Sequence, residues 1–163
     1  GVVAAVAYEQ SGLEAPAVAV HSQSASFIAG AMAGKVSDDK LYVASFCTLG
    51  ITSGDLGDGY QCSATAQEFV DTLAEIAPDV QPDSLAANAY DGAMLFAQAA
   101  AATDGSGEAI VDYMVKVTDQ PGALGVYSFS DDVRRGLGAT QVLLGVFRGG
   151  SWVMSDPLNL PTI

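Results

Sequence analysis

"AVAVHSQSASFIAGAMAGKVSDDKLYVASF", residues 17–46, decides how this chain folds. Its first four residues, Ala17 to Val20, form a short apolar run with the character of a strand. "SASFIAGAMAG", residues 24–34, is weakly helical. "KLYVASF", residues 40–46, is rich in β-branched and aromatic residues and predicts a second strand. Strand, helix and strand in this order predict a βαβ crossover, because parallel neighbours need a connection of this length. The fold class expected is α/β, with a parallel sheet flanked by helices.

The segments on either side extend this pattern. Residues 2–11 predict a helix that ends at Gly12, with Pro16 soon after. Downstream, a glycine-rich loop from Gly50 to Gly59 breaks the pattern and is the natural linker. A helix follows over 64–77, with Phe69, Val70, Leu73 and Ile76 on one face. Pro78 and Pro82 bracket a turn, and Asp83 or Ser84 is placed to cap a long helix over 84–103. That helix is small and apolar on nearly every side. Leu85, Ala89, Gly92, Ala93, Phe96 and Ala100 form one stripe, which predicts burial on more than one face, with Gly92 permitting a close approach. A third helix is expected over 108–118, burying Ile110, Val111, Met114 and Val115. "GVYSFSDD" and "TQVLLGVFRGGSWVM" predict strands, the latter folded at Gly149-Gly150 into a hairpin. The tail "SDPLNLPTI" reads as irregular.

Composition narrows the function. Half of the 163 residues are hydrophobic and only 15% are charged, so a packed core is expected rather than disorder. No apolar run is long enough to span a bilayer. Nineteen acidic residues against six basic ones leave a formal net charge of -13. That excludes nucleic acid as a natural partner, since phosphates need Lys and Arg, and disfavours anionic membrane surfaces. The start, "GVVAAVAYEQ", has no basic n-region or signal cleavage site, and begins like a helix inside a domain; the chain is expected to be a processed or truncated piece of a longer one. Cys47 and Cys62 bracket the glycine-rich loop. They predict a disulfide and an exported protein, the alternative being two unrelated thiols.

Candidate chemistry is sparse. His21 is the single histidine. It follows the first strand, at the carboxyl end where ligands of parallel sheets are met; the alternative is a surface loop histidine. No G-x-S-x-G elbow accompanies it. One His and two Cys do not make a four-ligand zinc set. "GDLGDG" and "DGSGE" do not match a calcium loop, and "RRGLGAT" opens no phosphate-binding helix. In "NAYDGA", Tyr90 and Asp91 need partners if they are buried. They serve either to tie the helix to a neighbouring loop or to contact a ligand.

The order of several stretches resembles the type I solute-binding proteins of ABC importers, of the branched-chain amino acid receptor kind. "AVAYEQSGLEAPAVAVHS" is similar to the family's helix, turn, strand and ligand loop. "EFVDTLAEIAPDVQPDSLAANAYDGAMLFAQAAAA" is similar to its paired helices. "GVYSFSDDVRRG" resembles a turn of the family, and "QVLLGVFRGGSWV" its closing hairpin. The similarity covers almost the whole chain but only the C-terminal portion of such a receptor.

The resemblance implies a two-lobe fold truncated at its N-terminus. Residues 1–46 would belong to the second lobe and 47–62 to a crossover loop. Residues 63–140 would supply helices and a turn of the first lobe, and 141–163 the final crossover and hairpin. It implies a ligand site at His21 and Ser22, where relatives place a carboxylate for the ligand's ammonium, and at Tyr90, which matches an aromatic of the cleft. Asp91 matches a neighbouring position with a structural bias. An imidazole does not pair with an ammonium as an acid does, which points away from a simple aliphatic amino acid. The implied function is extracytoplasmic capture of a small polar solute, such as an amino acid or related metabolite, between two lobes. No catalysis, metal or cofactor is implied. The implied partners are the solute, a membrane permease, and the missing N-terminal half or another copy of the chain. The location would be periplasmic or extracellular, with a lipid anchor on the missing N-terminus. The alternatives are a sensor domain of the same fold or a small α/β enzyme.

Overall fold

Residues Ala17–Ala19 (β1) and Leu41–Ser45 (β2) pair in parallel, Val18 opposite Tyr42. The connection between them carries a short helix, Ser26–Met32 (α2), and a helix Val2–Gln10 (α1) precedes β1. The crossover expected from residues 17–46 is therefore present. The computed structural model describes residues 1–54 and 62–155.

The sheet is mixed rather than parallel. Labels run along the chain: α3 Cys47–Ser53, α4 Ala64–Ile76, α5 Ser84–Ala102, α6 Gly107–Met114, β3 Gln120–Pro121, β4 Val126–Tyr127, β5 Leu143–Arg148 and β6 Ser151–Met154. Strand order in the larger sheet is β1-β2-β5-β6, with β5 antiparallel to both β2 and β6. The expected hairpin forms, and Gly149 and Gly150 both adopt positive φ, as a two-residue turn matched to strand twist requires. Strands β3 and β4 form a separate two-residue ladder, so only Val126 and Tyr127 of "GVYSFSDD" are strand.

Among the described residues, two hydrophobic cores result. In the first, Ile28, Ala29 and Met32 of α2 and Ala5 of α1 pack on Leu41, Val43, Phe147 and Trp152. These sheet residues alternate along their strands and therefore share one face. Gly145 lies opposite Val43, and a Cβ there would sit 2.6 Å from Leu49, so the glycine admits Leu49 onto the sheet. The second core joins Phe69 of α4, Ala87 of α5, Ala123 and Leu124, with Phe46 and Tyr90 packed at its margin.

Several local expectations are corrected. Residues 47–53, expected as part of a loop, form α3, which ends at Gly54 in the left-handed conformation. The rest of the glycine-rich loop and the tail beyond Ser155 lie outside the described residues. Helix α5 buries Ser84, Ala87, Asp91, Leu95 and Ala99. The stripe containing Leu85 and Phe96 faces outward, with Phe96 59% exposed, and a Cβ at Gly92 would meet open space. Helix α6 is shorter than expected and buries none of its residues completely. Ile76 of α4 is exposed.

Covalent and polar ties join elements around the two cores. Cys47 and Cys62 form the expected disulfide, with Cα atoms 5.5 Å apart; closing a loop of this length stabilises the fold by about 3 kcal/mol. The Ser45 and Ser84 hydroxyls bond at 3.0 Å in the interior. The Asp83 carboxylate caps α5 and also accepts from the backbone N–H and hydroxyl of Ser26 at the start of α2.

Candidate ligand-binding site

Parallel pairing brings the carboxyl ends of β1 and β2 to one edge of the sheet. After β1 the chain leaves Val20 in an extended conformation and turns once as a 3₁₀ helix over His21–Gln23. After β2 comes Phe46. The His21 ring meets Phe46 edge-on, with centroids 4.9 Å apart. This contact partly buries the imidazole, and burial depresses its pKa, opposed by the charge of Asp83. The ring is therefore neutral at pH 7. Its Nε2 is buried and has no hydrogen-bond partner among the described residues, which is costly for a polar atom. Ser22, the neighbouring candidate, is exposed.

Tyr90 and Asp91 sit on α5 and have different surroundings. Asp91 is 2% exposed. Its Oδ1 accepts from the N–H of Ala123 at 2.6 Å, and its Oδ2 from the N–H of Leu124 and the Tyr127 hydroxyl, both at 2.9 Å. This carboxylate holds the loop before β4 to α5. Its geometry is that of an anchor: Asp91, one of the candidate ligand contacts, has both carboxylate oxygens taken up by the fold. Burial and the adjacent Asp91 charge raise the Tyr127 pKa far above its ordinary value. Gly122 completes the arrangement, since a Cβ there would collide with Tyr127 and Asp91.

Tyr90 is half-buried, with its ring 5.2 Å from that of Phe69. It lines an open cavity of about 250 Å³ together with Glu68, Gln98, Gln120 and Tyr127. No residue of the His21 turn lines that cavity. His21 reaches the second core through Phe46, and Tyr90 reaches it through Phe69. The two candidates thus belong to neighbouring margins of one core without sharing a pocket. Reasoning from the sequence missed Phe46, which seats His21, and the second duty of Asp83, which reaches across to Ser26. The capping pattern signals Asp83, but its long-range partner has no local signature.

Among the described residues, no group of three or more His, Cys, Asp or Glu side chains is placed to hold a metal ion, and no helix is long and apolar enough to cross a membrane.

No family model and no curated protein matches the sequence. Solved structures do match its fold. An extracellular ligand-binding receptor from Rhodopseudomonas palustris HaA2 superposes with a TM-score of 0.73 at 16% identity, over 94% of this chain and 44% of the receptor. A leucine binding protein from Thermotoga maritima gives 0.69 at 17% identity, over 98% and 42%. The substrate binding protein of a branched-chain amino acid transporter from Streptococcus pneumoniae, solved with isoleucine, gives 0.65 at 23% identity, over 96% and 42%. The chain therefore spans less than half the length of the structures it matches, and its fold is that of one part of a two-lobe type I periplasmic binding protein.

Proposed function

We propose that this chain is the C-terminal portion of an extracytoplasmic substrate-binding component of an ABC importer, and that it holds a small polar solute against the turn at His21. The observation that carries the reading is the position of His21, half-buried edge-on against Phe46 at the carboxyl edge of a parallel strand pair. That edge is where α/β sheets meet their ligands. The solved structures of the same fold include a leucine binding protein and a substrate binding protein solved with isoleucine, which supports amino acids and related metabolites as the solute class. A neutral imidazole offers either a lone pair or an N–H, so it suits a hydroxyl, amide or carboxylate better than a lone ammonium. Closure of a second lobe would bury the solute, and no bond is made or broken. A membrane permease is the partner that this role requires.

The test is a thermal-shift panel of amino acids, amides and hydroxy acids on the full chain. One member should raise Tm in a saturable way, and His21→Ala should abolish the shift while Ser22→Ala leaves it intact. A panel without any shift, or a shift that survives His21→Ala, would overturn the reading.

A further inference from the structure

The turn from His21 to Ser24 is poorly satisfied for a buried segment. Two backbone bonds close it, from the Gln23 N–H to the Val20 carbonyl at 2.9 Å and from the Ser24 N–H to the His21 carbonyl at 2.8 Å. Its side chains fare worse. His21 Nε2, Gln23 Oε1 and Ser24 Oγ are each buried without a hydrogen-bond partner, three of the six such atoms among the described residues. Buried polar groups are normally paired, and each unpaired one lowers the stability of the segment that holds it. Turning these side chains out to water satisfies all three, at the cost of the edge contact between His21 and Phe46. The closed turn thus sets one ring contact and two backbone bonds against three unmet hydrogen bonds, a narrow margin.

Protonation of His21 acts directly on that margin. A neutral imidazole can leave Nε2 as an unprotonated acceptor, whereas an imidazolium donates from both nitrogens. With the ring in place, the second proton would sit on a buried atom that has no acceptor, beside the Phe46 ring. Burying an unpaired charge costs far more than burying an unpaired neutral group. The surrounding elements offer little relief. Helices α2 and α3 and strand β2 contain no charged residue. The Asp83 carboxylate at the start of α5 favours the cation through space. It already accepts four bonds, however, from the N–H groups of Leu85 and Ala86 on one oxygen and from the Ser26 N–H and hydroxyl on the other. Those fill the acceptor positions of a carboxylate. On the other side Gly1 lies against Gln23, and its amino group adds positive charge. The imidazolium is therefore better placed in solvent.

We propose that the turn from His21 to Ser24 is an acid-operated latch, closed on Phe46 while His21 is neutral and released to solvent when His21 is protonated. Opening sets in below the ordinary histidine pKa of about 6.5, and each further unit of pH favours the open turn about tenfold, down to the lower pKa of the closed turn. The consequence for function rests on the solute site proposed at this same turn: a solute held at neutral pH is let go in acid.

His21 is the single histidine of the chain, so its imidazole carbon-bound protons give one pair of NMR signals. The experiment lowers the pH of the full chain from 7.5 to 5.0 and follows these signals, their nuclear Overhauser contacts with the Phe46 ring, and the backbone amides. The contacts are expected at pH 7.5 and lost as the imidazole signals move to their protonated positions. The amides of Ser22, Gln23 and Ser24 should move with them, while those of β2 and α5 stay in place. This measurement needs no variant. His21→Gln, which has no titrating ring, should abolish the pH response of the three amides. An imidazole still neutral at pH 5.0, a protonated one that keeps its contacts with Phe46, a collapse of all amide signals together, or the same amide response in His21→Gln would overturn the proposal. The spectra do not depend on a bound solute, so a panel in which no solute binds defeats the functional reading and leaves this test standing.

Discussion

Two acidic residues eight positions apart on one helix do different work because of what donates to them. Asp83 is an N-cap, a role written into local sequence. Asp91 is an anchor for a loop more than thirty residues away. Hydrogen bonds to a buried charge contribute about 1.5–3 kcal/mol each, so Tyr127→Phe should lower the unfolding free energy by about 1.5 kcal/mol. Asp91→Ala should cost about 4 kcal/mol, since it strands two backbone N–H groups as well. Urea unfolding of both variants checks the order; equal losses would show that Tyr127 is the main tie. His21 makes a pH-dependent contribution of the opposite kind from a paired histidine. Its folded pKa lies below its unfolded one, so the unfolded chain binds the proton more readily. Stability should be at its full value above the unfolded pKa of about 6.5, and fall as pH drops through that value toward the folded pKa. In His21→Gln this segment of the stability–pH curve should flatten, as followed by denaturant midpoints between pH 5 and 8.

At the level of elements, the sequence is most legible where a signal is local. The β-branched and aromatic content of "KLYVASF", the Asp83 cap, the Gly149-Gly150 turn and the cysteine pair that brackets one loop are short-range signals, and each forms as expected. Legibility ends where the deciding partner is distant. Helix α5 is so rich in alanine that its apolar character hardly varies around its axis. The face turned inward is set by Asp91 and its loop, so the outward stripe with Gly92 could not be identified from periodicity. Likewise nothing within residues 47–53 reveals that a helix fits there; that depends on Leu49 reaching the sheet over Gly145. At the candidate site, His21 was legible from its position after a strand, whereas its seating on Phe46 required the parallel register. The outward orientation of Gly92 carries a prediction. Its added Cβ meets no atom within 4 Å, and glycine in a helix interior costs about 1 kcal/mol relative to alanine. Gly92→Ala should therefore raise stability by about 0.5–1 kcal/mol, read as an increase in Tm. A decrease would mean that another part of the protein, or another copy, lies tightly against this face.

For the molecule as a whole, the balance is between apolar surface and charge. Strand β1 is an edge of the larger sheet. Val18 and Val20 are 71% and 68% exposed there, and residues 17–20 contain no Lys, Pro or acidic residue to discourage pairing. Phe27 and Phe96 add exposed aromatic surface elsewhere. A formal net charge of -13 acts against self-association, but only over the screening length, which shrinks from about 30 Å at 0.01 M salt to about 8 Å at 0.15 M. Burial of apolar side chains is not screened. Association of the chain with itself should therefore strengthen as salt is added, the reverse of what salt bridges would produce. Light scattering of the chain at several concentrations should give monomer at low salt and larger species near physiological ionic strength. Val18→Lys places a charge on the exposed side of the free edge and should shift that equilibrium back to monomer without lowering Tm. Association that persists undiminished in Val18→Lys would move the contact surface away from β1, to the outward faces of α2 or α5, and Phe27→Ser and Phe96→Ser would then identify which of the two carries it.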